Sequence, residues 1–336
     1  MDTSRRRHDA AVYVRRRLVV ATTAMAIAAT LTIGIASNAG TAGGGRAGTT
    51  APSTGPTSKP TPPPTTAPPP TSIAPATTAA PDTLREPLRS GSAGDPVRLL
   101  QDRLRELGFE PGPSDGQFGT LTQQAVWAYE KLVVGVAAPE ASGIVTDELW
   151  QRMRQEDPIR PRRSHAAGET TRDHTEVYLP EQVVAFFVDD EPVLISHMSS
   201  GSGERWRETV TIDPGEYRNE NGTTATQLGL MGQSITPGGV YTYERFVTGR
   251  RLGALGAMYD PAYFNHGIAI HGADYIPLVP ASHGCIRIPR YISDRFHQFI
   301  DHGDQVWVWD GDNEPEWLGQ VPPPFDQIDP NWAGTD

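Results

Sequence analysis

The stretch GIAIHGADYIPLVPASHGCIRIPR, residues 267–290, contains the only cysteine of the 336-residue chain, Cys285. Successive side chains of a strand point to opposite faces. In an extended GIAIHG, both isoleucines therefore face the core and His271 faces the other way. The same rule places His283 and Cys285 on one face if SHGC is extended. The segment thus predicts two short strands that bring a thiol and imidazoles together.

Glycines next to both histidines favour close backbone approach. Gly272 permits a sharp turn after His271, and Gly284 lets backbone amides approach a bound oxygen, as an oxyanion hole requires. A nearby imidazole can activate a thiol as a nucleophile. The residues alone leave three interpretations open: a Cys/His nucleophilic site, a buried thiol with solvated histidines, or a zinc site. The zinc ligands would be His266, His271, His283 and Cys285.

The N-terminus predicts export from the cytoplasm. Residues 1–17 hold two arginine triplets and form a basic cytoplasmic segment, and residues 18–37 are mainly apolar and uncharged. This length is near the lower limit for a transmembrane helix, and the upstream arginines orient the rest outward. A cleaved signal peptide is the alternative, since small residues follow the apolar run. We expect an extracytoplasmic, membrane-anchored protein, in which a lone cysteine gains no disulfide.

A low-complexity linker and an acidic body follow the N-terminal segment. Residues 38–83 are rich in Gly, Thr and Pro and predict an extended linker without a core. The chain has a formal net charge of −11; residues 1–35 carry six arginines and two aspartates, so the remainder carries −15. An acidic exported body argues against a nucleic-acid partner, because phosphate binding requires clustered Lys and Arg.

Residues 84–155 predict a small three-helix domain. DPVRLLQDRLRELGF has apolar residues at helical spacing, with Asp95 as the expected cap and Gly108 as the stop. TLTQQAVWAYEKLV and TDELWQRM follow as the second and third helices. No catalytic constellation is evident here, and Asp115 and Asp147 are expected in turns or caps.

Residues 174–310, after a linker at 156–173, predict a mostly-β domain with one helix. TEVYLPEQVVAFFVDDEPVLISHMSSG indicates a strand, a turn and two more strands, and DQVWVWD alternates near the end. Only RYISDRFHQFIDHG has helical spacing. Residues 311–336 form an acidic, Pro-rich tail with Trp317 and Trp332 as possible anchors, either packed across the domain or loose.

The helical segment resembles a known binding domain. GSAGDPVRLLQDRLRELGF, DGQFGTLTQQAVWAYEK and GIVTDELW together are similar to the peptidoglycan-binding domain of exported bacterial wall enzymes. The resemblance covers about 65 residues and implies binding to the cell-wall polymer. A helical domain that only packs on its neighbour is the alternative, because fold alone does not determine function.

The second segment resembles the L,D-transpeptidase catalytic domain, a β-sandwich of the YkuD type. IAIHGADYIPLVPASHGCIRIP matches the histidine, loop and Ser/Thr-His-Gly-Cys signature, and TPGGVYTYE and ISHMSSGS match segments before it. The resemblance assigns Cys285 as the nucleophile, His271 as the base and the Gly272 carbonyl as the group that orients it. It implies an oxyanion hole from backbone amides near Gly284 and Cys285. The remaining motif residues are Ser282 and His283.

Two departures from the family pattern concern the substrate side. Ten residues separate His271 from Ser282, a shorter loop than is commonest, and Arg287 occupies a position where many members have asparagine. A guanidinium there could pair with a substrate carboxylate or form a structural salt bridge. We also expect Tyr259 and Phe264 to contact substrate.

The resemblance implies acyl transfer on peptidoglycan stem peptides without a metal or other cofactor. The thiolate would attack the third stem residue, release D-alanine and pass the acyl group to an amine of a neighbouring stem, giving a 3→3 cross-link. Carbapenems are expected to acylate the cysteine. Hydrolysis by an L,D-carboxypeptidase and protein-to-wall attachment use the same site, and a non-catalytic wall-binding scaffold is the alternative of another class.

Overall fold

A computed structural model describes residues 83–163, 165, 172–215, 219, 221–253, 255–315 and 318–331. The predicted cytoplasmic and membrane segments at 1–17 and 18–37, and nearly all of the linker at 38–83, lie outside these residues, as do Trp317 and Trp332. Within the described ranges, no helix combines the length and hydropathy needed to cross a bilayer.

The first module has the three predicted helices: α1 (Asp95–Glu106), α2 (Thr120–Tyr129) and α3 (Asp147–Gln155). A π-helical turn at Glu130–Val134 extends α2, and a 3-10 turn follows at Ala138–Glu140. The predicted cap of α1 is wrong by one residue. Gly94 is the N-cap, and the Asp95 carboxylate instead pairs with the Arg98 guanidinium at 2.5 Å within the first turn.

The second module is mostly β with one α-helix, α4 (Arg290–Phe296), as predicted. Its thirteen described strands are β1 (His174–Tyr178), β2 (Val183–Val188), β3 (Glu191–His197), β4 (Arg205–Ile212), β5 (Thr226–Gln233), β6 (Gly239–Thr242), β7 (Arg245–Phe246), β8 (Arg250–Gly253), β9 (Gly256–Asn265), β10 (Ile268–Ala273), β11 (Ile286–Pro289), β12 (Gln305–Trp309) and β13 (Asp326–Ile328).

These strands form three sheets. The first has the order β3-β2-β1-β12-β6, and the second has the order β11-β10-β9-β7, with β8 also paired to β9. α4 packs on β9, β10 and β11 of the second sheet. Its Phe296 contacts Phe186 of β2 with ring centroids 5.4 Å apart, so apolar side chains of the helix connect the two sheets.

The third sheet, β13-β5-β4, was not predicted. β4 and β5 pair antiparallel over their whole length, and β13 adds a strand from the tail to β5. Val210 and Ile212 of β4 and Leu230 of β5 form a small core of their own. The described part of the tail therefore packs across the domain through β13 and is not loose there.

The two modules share one apolar core, and residues 79–336 form one compact unit. A backbone hydrogen bond joins the two modules: the Ile195 amide of β3 donates to the Gly108 carbonyl of the first module at 2.8 Å. Gly108 has φ +102°, and an added Cβ would lie 3.0 Å from Pro192 Cβ, so the close contact requires glycine. Phe109 is buried at this junction beside Tyr178 and Phe187. The first module is thus fixed directly on the β1–β3 sheet.

Candidate active site

The predicted catalytic stretch forms two neighbouring parallel strands. In the register of β10 and β11, Ile270 lies opposite Ile286 and His271 opposite Arg287. Extending this register by one residue places Cys285 opposite Ala269. Side chains alternate across a strand, so Cys285 shares a face with His271. His271 is one strand over from Cys285 and two residues further along, an offset of about 8 Å between Cα atoms. A cysteine and a histidine side chain that point toward each other can span this distance. Ile268, Ala269, Ile270 and His271 are all buried, so burial does not distinguish the two faces of β10, and the alternation expected for GIAIHG stays a prediction.

The imidazole of His271 has a defined tautomer. Its Nδ1 lies 2.9 Å from the Gly272 carbonyl oxygen, which can only accept, so Nδ1 carries the proton. The Nε2 lone pair is then available as a base. His271 is buried, and burial, with a smaller effect of the Arg287 guanidinium, lowers its pKa to about 4. The ring is neutral at physiological pH, as a general base must be.

Gly272 is required by packing as well as by hydrogen bonding. A Cβ at this position would lie 2.1 Å from the Ser293 hydroxyl oxygen of α4 and 3.1 Å from Tyr259 Cβ. These two neighbours hold the end of β10 close to the helix. The carbonyl that orients His271 is therefore fixed by backbone packing that no larger residue permits.

Cys285 is half-buried and lies immediately before β11. Its Sγ lies 3.7 Å from the Gly267 carbonyl oxygen, a distance compatible with a weak S–H donor. Burial raises the pKa of the thiol, although the Ala269 backbone and the Arg287 guanidinium oppose this effect. A raised pKa keeps the proton on the thiol at neutral pH, where the imidazole of His271 is neutral.

The turn before the cysteine is organised by Ser282. Its hydroxyl donates to the Cys285 carbonyl at 2.5 Å and accepts from the Gly284 amide at 3.0 Å. The Thr236 hydroxyl donates to the Gly284 carbonyl at 2.7 Å. The Gly284 N–H is therefore bonded to the Ser282 hydroxyl in this structure, and the oxyanion hole from backbone amides near Gly284 and Cys285 stays a prediction.

Gly284 itself is needed for conformation. Its φ is +134°, a region that residues with a Cβ rarely adopt, and an added Cβ would lie 2.9 Å from the Ile235 carbonyl oxygen. Thr236 and Ile235 belong to the segment before β6, where TPGG was noted in the sequence. This segment therefore packs against the turn before Cys285 and donates a hydrogen bond to it.

His283 points away from the predicted zinc cluster. Its Nε2 lies 2.9 Å from Glu208 Oε1 of β4, and its ring contacts Trp206 with centroids 4.7 Å apart. Since His271 Nδ1 is also occupied, the four proposed ligands do not converge. Among the described residues, the group of potential ligands with atoms within 4.8 Å is elsewhere, on and beside the first sheet: His165, His174 and Asp190.

The predicted substrate contacts have different outcomes. Phe264 is 1% exposed and contacts Tyr241 with ring centroids 5.5 Å apart, so its prediction is wrong. Tyr259 is half-buried, with the Arg290 guanidinium 3.9 Å above its ring. Arg287 lies opposite His271, and no carboxylate within the described ranges forms an ion pair with it. The alternative of a structural salt bridge at Arg287 thus finds no support there.

The loop between His271 and Ser282 is held by the residues that follow β3. The Ser199 hydroxyl donates to the Val279 carbonyl at 2.9 Å, and the Ser282 amide donates to the Ser200 carbonyl at 2.9 Å. His197 Nε2 lies 3.3 Å from the Ile276 carbonyl. ISHMSSGS was noted in the sequence, but the supporting roles of its side chains were not predicted, because only tertiary structure brings them to the loop.

Comparisons with known proteins agree with this architecture. Residues 172–308 match the YkuD family model, described as the L,D-transpeptidase catalytic domain, and residues 93–153 match a peptidoglycan binding domain model. No curated protein sequence matches the chain.

Solved structures provide a second comparison. An L,D-transpeptidase from Xylanimonas cellulosilytica has 28% identity and a TM-score of 0.53, with coverage of 68% of this chain and 98% of that one. An L,D-transpeptidase from Stackebrandtia nassauensis has 17% identity and a TM-score of 0.35, with coverage of 68% and 96%. The chain therefore carries a catalytic domain of the L,D-transpeptidase family, preceded by a domain of the peptidoglycan binding family.

Proposed function

We propose that this protein is a peptidoglycan L,D-transpeptidase that forms 3→3 cross-links through a cysteine acyl-enzyme. One observation carries the proposal most directly: the Nδ1 hydrogen bond to Gly272 leaves His271 Nε2 as a base on the face that Cys285 shares. A neutral imidazole beside a protonated thiol is the resting state of a general-base pair.

The proposed reaction has two acyl transfers. Cys285 Sγ attacks the carbonyl carbon of the third stem residue while His271 Nε2 takes the thiol proton. The bond to D-alanine breaks, and His271 returns the proton to the leaving amine. The amine of a neighbouring stem then attacks the thioester carbonyl and loses a proton to His271, and the sulfur leaves and is reprotonated. The Arg287 guanidinium on the same face suits a carboxylate of the substrate.

Substrate delivery is the proposed role of the first module, through binding to the wall polymer. The predicted export segment and the Pro-rich linker fit an enzyme that acts outside the cytoplasm, where this polymer lies. We keep membrane anchorage through residues 18–37, and cleaved secretion as its alternative, as proposals from the sequence alone.

Mass spectrometry of the full chain with disaccharide-tetrapeptides tests the reaction. We expect loss of D-alanine together with a cross-linked dimer, and neither product with Cys285→Ala. Loss of D-alanine without a dimer would indicate a carboxypeptidase. Wall binding without any product in the wild type would favour a scaffold and refute the proposal.

The pH dependence of D-alanine release tests the base. The buried imidazole has a pKa of about 4, so His271 remains a competent base down to about pH 5. Activity controlled by this group should be constant from about pH 5 to 7 and fall as the pH decreases through 4. A fall centred near the ordinary imidazole pKa of 6.5 would contradict this assignment.

A further inference from the structure

A buried lysine connects the first module to the catalytic domain. Lys131 lies in the π-helical turn after α2, and only 1% of it is exposed. Its Nζ lies 2.8 Å from the Gln182 carbonyl oxygen and 2.7 Å from His197 Nδ1. Glu130 and Glu181 are the acidic groups that act on it electrostatically. Burying an amine is unfavourable unless its donors are used, and here two contacts reach the catalytic domain.

The direction of these hydrogen bonds follows from the chemistry of the lysine. A lysine amine bonded to an imidazole nitrogen acts as donor when protonated, so His197 Nδ1 accepts and Nε2 carries the ring proton. That Nε2 lies 3.3 Å from the Ile276 carbonyl oxygen, which can only accept. Burial and the neighbouring amine lower the pKa of His197 to about 3, so the ring stays neutral in this arrangement.

Packing holds the histidine ring in the plane that both hydrogen bonds require. Trp127 of α2 contacts the His197 ring edge-to-face with centroids 5.4 Å apart, and His197 is 1% exposed. The ring is therefore positioned by two residues of the first module, Trp127 and Lys131. We call the connected set the Lys131–His197–Ile276 bridge.

The bridge ends in the loop that joins the two catalytic residues. Ile276 lies in the ten-residue segment between His271 and Ser282 and is 6% exposed, whereas the adjacent Tyr275 is 74% exposed. The buried isoleucine thus anchors a loop in which Asp274, Tyr275 and residues 279–281 are exposed. The residues that follow β3 support the loop at Val279, through Ser199. His197, the last residue of β3, extends this support to Ile276, in the earlier part of the loop.

We propose that Lys131 is a positioning residue for the catalytic site. Through the Lys131–His197–Ile276 bridge, the first module holds the loop between His271 and Ser282, and so acts as a structural part of the catalytic unit in addition to binding the wall. The kinetic test of this proposal rests on the proposed function. The structural test, by amide hydrogen exchange, does not depend on that function.

Amide hydrogen exchange of the full chain provides the structural readout. The variants are Lys131→Met, which keeps the aliphatic stem, His197→Phe, which keeps the ring, and the double variant. Loss of one buried hydrogen bond should accelerate exchange of residues 274–282 by about tenfold, with β10 unchanged. The double variant should match the single variants, because both substitutions break the same bridge.

A matched variant separates positioning from general stability. Val97→Ala removes buried volume from the core of the first module without contacting the bridge. Compared at equal fractions of folded protein, it should leave exchange of residues 274–282 unchanged. Three results would overturn the proposal. They are equally fast exchange of residues 274–282 in Val97→Ala, no faster exchange in either bridge variant, and additive effects on exchange in the double variant.

Kinetics with a tetrapeptide donor provide the activity readout. We expect a KM for the donor raised severalfold in both bridge variants and a smaller change in kcat, because the loop borders the site but holds neither reacting group. A KM unchanged in both variants would contradict a positioning role. If the wild type releases no D-alanine, the proposed function fails, and the exchange experiment still tests the bridge.

Discussion

Replacing Lys131 by methionine should change how the stability of the protein depends on pH. Burial lowers the pKa of Lys131 from 10.5 to about 7, against the opposing effects of Glu130 and Glu181. Below pH 7 both the folded and the unfolded chain hold this proton, and the lysine adds no pH dependence. Between about 7 and 10.5 only the unfolded chain holds it, so the free energy of unfolding rises with pH.

The magnitude follows from the two pKa values. In this range one proton distinguishes the two states, which corresponds to about 1.4 kcal/mol per pH unit. Allowing for partial titration at pH 7, the wild type should gain about 2 kcal/mol between pH 7 and 9. Lys131→Met lacks this contribution, whereas titrating groups that do not interact with Lys131 are common to both proteins and cancel in the difference.

Urea unfolding at pH 6, 7, 8 and 9 measures the difference between the wild type and Lys131→Met. Leu132→Met, at the neighbouring position, is the matched control and should follow the wild type at every pH. A difference between wild type and Lys131→Met that stays constant within about 0.5 kcal/mol over this range would refute the reasoning. It would mean that the lysine keeps an ordinary pKa in the folded protein.

Substitutions at three positions test the turn that carries Cys285. Gly284→Ala, at φ +134°, should destabilise the protein by about 1–3 kcal/mol and abolish acylation, and unchanged unfolding would contradict the strain argument. Thr236→Val should cost about 1–3 kcal/mol in urea unfolding, because the Gly284 carbonyl and the Gly201 amide lose their partner, while Thr236→Ser should retain most of the stability. Glu208→Gln should change stability by less than about 1 kcal/mol, since Glu208 is 42% exposed. It should nevertheless alter the rate at which iodoacetamide alkylates Cys285, and an unaltered rate would show that the His283 contact is dispensable.

Residue patterns predicted much of this protein correctly. Helical spacing gave the three helices of the first module, and apolar runs gave β1, β2, β3 and β12. The predicted strand in GIAIHG is also present, because β10 covers Ile268–Ala273. Such features are local, so the sequence determines them without knowledge of the neighbouring elements.

Patterns failed where the outcome depended on distant partners. The third sheet depends on β13, whose Ile328 pairs with Gly229 of β5 from far along the chain. Phe264 was expected to contact substrate, yet it is buried against Tyr241. Composition cannot distinguish an aromatic residue in a core from one in a binding site.

The sequence by itself singled out Cys285 and His271 as candidate reacting groups and identified the glycines that the turns require. Only the tertiary structure decided which hydrogen bond each group makes. Gly272 sets the tautomer of His271, Ser282 occupies the Gly284 amide, and Lys131 reaches the catalytic loop through His197. The physical reason is that alternation and turn preference depend on adjacent residues, whereas protonation, burial and hydrogen-bond partners depend on groups that folding brings together from far along the chain.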